Sequence, residues 1–102
     1  MSIFSNAASK SSGPITADAV VSAVPCIITA ITLRSGTGAS SLVIYDNATE
    51  ASGDIKWAAS LAATTAAGDQ THSIAGLDIA CTNGAYVDWT GTGAIGYIGF
   101  KT

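Results

Sequence analysis

From Cys26 onward, apolar residues fall at every second position in short runs, and glycine-bearing breaks separate the runs. A period of two puts successive side chains on opposite faces of an extended strand, so each run reads as a strand with one face on a core. In "DIKWAASL", Ile55, Trp57, Ala59 and Leu61 alternate with Lys56, Ala58 and Ser60. In "CIITAITLR", Ile27, Thr29, Ile31 and Leu33 share a face and Arg34 points the other way. "LVIYD" and "AYVDWT" repeat the pattern, and "LDIACT" groups Leu77, Ile79 and Cys81. A strand near Ala19–Val24 is confined to an edge or a break by Pro25, which lacks an N–H for a ladder. Asn83-Gly84 predicts a tight hairpin turn, because glycine accepts the positive φ such turns need. "SGTGASS" and "GTG" read as turns, and "NATEASG" and "AATTAAGDQ" as loops. Short strands at a spacing of about 8–12 residues predict an antiparallel β-sandwich or jelly-roll-like small barrel of about seven or eight strands, without a helix.

The chain has 102 residues, enough for one domain. Residues 1–16 are a Ser/Ala-rich lead closed by Gly13-Pro14, in which only Ile3 and Phe4 break the polarity. They read as an N-terminal arm, with a single β-sandwich domain over residues 17–102 and no interdomain linker. Removal of residues 2–13 is accordingly expected to leave a folded domain.

Ala, Gly, Ser and Thr make up about half of the chain, and charged residues only 11%. Ordinary domains carry about 25% charged residues, so this surface is poorly equipped for a freely diffusing monomer. It suits a protein covered by neighbours. Four Lys/Arg residues and a pI near 4.5 argue against nucleic acid, which demands a basic patch. No apolar run approaches the roughly 18 residues of a membrane span. "MSIFSNAASKSSG" lacks the basic and apolar regions of a signal peptide, so synthesis in a cytoplasm is expected. Cys26 and Cys81 are the only thiols and lie outside any C-x-x-C pattern. In a reducing compartment the default is two buried free thiols. Spacing along a sequence does not give the distance between them, so a single disulfide stays open.

Gly91-Thr92-Gly93-Ala94-Ile95-Gly96 satisfies the dinucleotide fingerprint G-x-G-x-x-G. That motif works by opening a helix whose N-terminus holds a pyrophosphate, with an acidic residue about 20 positions on. Six residues follow Gly96 here, none of them acidic. The glycines therefore read as a hairpin turn at Gly91 and Gly93, with Gly96 and Gly99 inside a last strand. Strand-interior glycines cost stability, which implies close approach of another strand or subunit, or room for the ring of Trp57, Trp89 or Tyr97.

No other residues assemble into a catalytic set, and no enzyme or cofactor is expected. His72 is the sole histidine; with Cys26 and Cys81 it matches none of the usual zinc spacings and reads as a polar residue on a strand. Asp46, Glu50 and Asp54 lack the D-x-[DN]-x-[DN]-G calcium pattern and read as a solvated loop. Asn47-Ala48-Thr49 fits a glycosylation sequon, which matters only in a secretory pathway. Tyr45, Tyr86, Trp89 and Tyr97 are candidates for an aromatic face, but Trp89 is out of phase with Tyr86 and Asp88, so one set points inward. Trp57 and Trp89 read as core anchors, and the tyrosines as interface residues.

"LVIYDNATEASGDI" and "NGAYVDWTGTGA" together resemble small proteins encoded among the virion genes of tailed bacteriophages. The shared pattern is Tyr45–Ala48, Ser52-Gly53, and Asn83 to Ala94, and the likeness spans roughly residues 30–100. It does not reach the arm, and the ending "AIGYIGFKT" is richer in glycine than its counterparts in the family. The resemblance implies a virion structural protein, foremost a capsid decoration or cement protein that binds the major capsid protein and stabilises the head. A tail or fibre-base component is the alternative in the same class, and a carbohydrate-binding β-sandwich module the alternative outside it. The expected contacts to the capsid or to a neighbouring copy are Ile3, Phe4, Lys10, Tyr86 and Tyr97. Self-association is expected, with a trimer suited to a local threefold axis.

Overall fold

The computed structural model describes residues 9–102, so Ile3 and Phe4 lie outside the described residues. Eight strands and no helix are present among them: β1 (Lys10–Ser11), β2 (Ala19–Ser22), β3 (Cys26–Arg34), β4 (Ser40–Tyr45), β5 (Ile55–Leu61), β6 (Thr71–Cys81), β7 (Ala85–Thr90) and β8 (Ile95–Lys101). They form two four-stranded antiparallel sheets, ordered β1-β8-β3-β6 and β2-β7-β4-β5. The all-β sandwich expected from the period-two pattern is what the chain adopts.

The order of strands has a simple origin. β1 pairs with β8, β2 with β7, β3 with β6 and β4 with β5, as in one long folded ribbon. Wrapping that ribbon adds the pairs β3 with β8 and β4 with β7, and yields the jelly-roll order. Only β4 and β5 are consecutive strands of one sheet. Asn83-Gly84 and Gly91–Gly93, expected as hairpin turns, are crossings from one sheet to the other. Glycine is needed at both: φ is +143° at Gly84 and +71° at Gly93. The local turn chemistry is legible, but the partner of each strand is set by the wrap and not by the turn.

Ile28, Ile31, Leu33, Leu42, Ile44, Val87 and Ile98 are fully buried between the sheets, with Trp89 and Phe100 beside them. Burying an aliphatic side chain of this size contributes roughly 1.5–3 kcal/mol, so these seven dominate the stability of a domain with few bulky residues. Ile27 is not on the same face as Ile31 and Leu33. The register of β3 shifts between Ile28 and Ala30, against both β6 and β8. Against β8 the extra residue is Thr29, whereas against β6 the longer side is β6; the alternation on β3 reverses there, so that Cys26 and Ile28 face the core ahead of Thr29 and Ile31 and Leu33 after it.

The packed part of the chain begins inside the stretch read as an arm. Lys10-Ser11 pairs with Gly99 and Phe100, and Ser12 N–H donates to the Ile98 carbonyl at 2.8 Å. Ile15 exchanges backbone hydrogen bonds with Gly96 at 2.7 and 2.9 Å and is 4% exposed. Cutting after residue 13 would strip β1 from the sheet. β2 lies at a sheet edge, as Pro25 implied.

Candidate interaction surface

On β7, Ala85, Val87 and Trp89 are buried, which turns Tyr86 and Asp88 outward. On β4, Ser40, Leu42 and Ile44 are buried, which turns Ser41, Val43 and Tyr45 outward. The ladder sets Tyr86 opposite Tyr45, Val20 opposite Tyr86, and Ile55 opposite Tyr45. Val20, Tyr86, Tyr45 and Ile55 thus form one row across all four strands of the second sheet, about 14 Å from first strand to last. Val20 is 47% and Ile55 58% exposed, and both tyrosines are half-buried. The adjoining row is Asp88, Val43 and Ala58. Asp88 interrupts the second row, and Asp18 ahead of β2 and Lys56 beside Ile55 flank the pair; the four-residue row itself carries no charge.

Ile55 is the member that the sequence placed wrongly. Alternation groups it with Trp57, Ala59 and Leu61, which do pack against the core. A register shift beside Tyr45 moves Ile55 to the outer face. A single-residue shift moves every later side chain to the opposite face, and no residue type marks this one. Val20 was missed for a different reason: an exposed valine on a short edge strand carries no signal until its neighbours are known.

The expected contact residues do not converge. Tyr86 faces out from the second sheet, whereas Tyr97 faces out from the first, opposite Thr32. Lys10 lies on edge strand β1, where its Nζ donates to Thr102 Oγ1. Trp89 points inward as a core anchor; Trp57 is only half-buried, with its ring centroid 5.9 Å from that of His72.

The two halves of the Tyr45–Ala48 and Asn83–Ala94 pattern meet in space. Beside the Tyr45–Tyr86 pair, Asp46 turns in toward the crossing that leads into β7. Its Oδ1 accepts from Asn83 N–H at 2.8 Å, and its Oδ2 accepts from Thr82 N–H at 3.2 Å and Thr82 Oγ1 at 3.0 Å. Burial pushes the Asp46 carboxyl up, but these three donors and the Lys56 ammonium outweigh it and hold the group below its ordinary value. Asp46 is thus a buried anchor of the 82–84 crossing and not part of a solvated calcium-type loop. Asn47 stays in that loop, where its Oδ1 accepts from Thr49 and Glu50 N–H.

His72 and Cys81 sit nine positions apart along β6, about 30 Å for an extended strand, so the one histidine cannot join the thiols in a metal site. Among the described residues no group of three or more His, Cys, Asp or Glu side chains is placed to hold a metal ion. β6 is the outer edge of its sheet, exposed from Thr71 to Gly76, with Asp78 its one acidic residue and no lysine. Comparison with protein-family models, with curated proteins and with solved structures gives no match for this chain.

Proposed function

We propose that the chain is a structural binding module of a tailed-phage virion: a head decoration or cement protein that sits on the major capsid protein and associates with further copies of itself. The observation that carries this reading is the outward row Val20–Tyr86–Tyr45–Ile55. Interface cores are depleted of charge and enriched in tyrosine, and this row has both properties. Each copy on a shell adds a modest contact, and the symmetry of the shell multiplies it. The resemblance of the Tyr45–Ala48 and Asn83–Ala94 segments to phage virion proteins supplies the identity of the partner. The jelly-roll order adds little, because capsid proteins and lectins both use it. The long, sparsely charged edge of β6 favours self-association, since an uncovered edge invites pairing; a trimer fits a local threefold axis. Ile3 and Phe4 enter the proposal through their apolar character alone.

The test is co-sedimentation of the purified protein with tailed-phage heads. Wild-type protein is expected to pellet with heads, and the Tyr86→Ala, Ile55→Lys double variant to stay in solution while keeping its melting temperature. Equal pelleting of both proteins would sink the assignment of the surface. Absence of wild-type pelleting would sink the reading itself.

The pairing of Tyr45 with Tyr86 on an open face favours a second reading, a carbohydrate-binding module. Binding on a glycan array that Tyr45→Ala abolishes, without binding to heads, would select it.

A further inference from the structure

We infer that Cys26 and Cys81 form a cross-strand dithiol that closes to an intramolecular disulfide when the chain equilibrates with a low-molecular-weight disulfide. The inference is independent of the virion role. Cys26 and Cys81 are register partners, the terminal pair of the β3–β6 ladder. Residues directly opposed on antiparallel strands have Cα atoms about 4.5–5.5 Å apart, depending on whether the pair is hydrogen-bonded. Both values fall inside the range of about 4.4–6.8 Å that a disulfide spans. The side chains share a side: both are buried in the core between the sheets, at 2% and 1% exposure. Closure therefore requires no rearrangement of the strands.

The flanking backbone holds this placement from both ends. Ahead of β3, Ser22 Oγ donates to the Val24 carbonyl at 2.8 Å, bracing the turn that delivers Cys26. After β6, Asp46 grips Thr82 and Asn83. The two thiols differ chemically. The neighbouring Cys81 thiol lowers the Cys26 thiol, against its burial, with Ser22 assisting; Cys81 is pushed up by the Cys26 thiol and by its own burial.

The thiolate of one cysteine attacks one sulfur of the small disulfide, forming a mixed disulfide and releasing one small thiolate. The thiolate of the other cysteine then attacks the protein sulfur of that mixed disulfide and releases the second. Two electrons pass from the protein thiols to the small disulfide, and the two protons end on the released thiols. The bond encloses residues 26–81, which include β3 and β4 through β6 and so tie strands of both sheets. A covalent loop of that length constrains the unfolded chain strongly. Oxidation would therefore act as a latch on the fold.

The experiment refolds the full chain from the reduced, unfolded state in a series of reduced and oxidised glutathione ratios, so that burial does not limit access. Expected is natively folded protein whose single chain lacks two hydrogens by intact mass, with the Cys26 and Cys81 peptides joined under non-reducing digestion. Its Tm should rise by on the order of 10 °C and fall back with dithiothreitol. Cys81→Ala should show no oxidation-dependent change in Tm. Two free thiols, or glutathione retained on either cysteine, in natively refolded protein at the most oxidising ratio would overturn the inference. So would a bond that forms only with a lowered Tm, or one that joins two chains.

Discussion

The ring of Trp89 occupies the space that a side chain on Gly96 would need. A methyl group at Gly96 would come within 2.9 Å of Trp89 Cζ3 and within 2.9 Å of Leu42 Cδ1. At Gly96 the glycine makes room for a core ring, whereas at Gly99 it meets Thr29 and Ala30 of the neighbouring strand. Gly96→Ala is expected to destabilise the protein by about 1–3 kcal/mol, because overpacking outweighs the small gain from a less flexible unfolded chain. Urea unfolding measures it. Adding Trp89→Leu should cost less in the Gly96→Ala background than in wild type, and strictly additive losses would exclude the contact.

Asp46 should make stability sensitive to acid. Its folded value lies below the ordinary carboxylate value of about 3.9. A depressed carboxylate contributes stability above its unfolded value, and the contribution is lost as pH falls through the folded value. Asp46→Asn is expected to cost about 1–2 kcal/mol near neutral pH, through loss of charge-assisted bonds. The gap between the two proteins should narrow once the pH drops below about 4. Thermal melts from about pH 6 to about pH 2.5 decide the matter; a gap that stays constant rules the Asp46 linkage out.

The register shift beside Tyr45 separates two neighbours on one strand. Ile55→Lys should change stability by no more than about 0.5 kcal/mol, since the side chain is already in water. Trp57→Ala should cost about 2 kcal/mol, since that ring packs on the core. Comparable losses at the two positions would mean that Ile55 points inward after all.

On the outer face, Tyr45→Ala and Tyr86→Ala should each weaken binding to the capsid partner we propose by about 1 kcal/mol or more, near a fivefold change, with little effect on Tm. Tyr97→Ala, on the opposite sheet, should leave that binding unchanged. Titration against isolated capsid assemblies distinguishes the two faces, and equal sensitivity at Tyr97 would move the surface elsewhere.

Strand positions are readable because alternation is a local signal: "AYVDWT" separates Val87 and Trp89 from Tyr86 and Asp88, and the structure puts the first set inside. Two features escaped for a common reason. The glycines at the β3 shift, Gly76 and Gly99, lie on the partner strands β6 and β8 and not on β3, and no Gly or Pro lies between Ile55 and Trp57, so alternation within each strand puts Ile27 and Ile55 on the wrong faces. The crossings at Gly84 and Gly93 were mistaken for hairpins because a positive φ reports the sharpness of a turn and not its destination. The contact row was illegible because its four members come from residues 20, 45, 55 and 86 and meet only through pairing. Asp46 was misread because its partners, Thr82 and Asn83, lie 36 and 37 positions away.

The ribbon that generates the strand order also sets a sequence of events. β8 sits between β1 and β3, so the first sheet has no continuous middle until β8 is in place. On a ribosome β8 emerges after every other strand. Until then β1 has no partner, β3 is paired on one side only, and the apolar side chains of Ile28, Ile31 and Leu33 lack the cover of Ile98 and Phe100. Pairing so distant in sequence is slow to form. Nascent chains of this protein should therefore stay sensitive to protease, and attractive to chaperones, until the segment carrying Gly96 clears the exit tunnel.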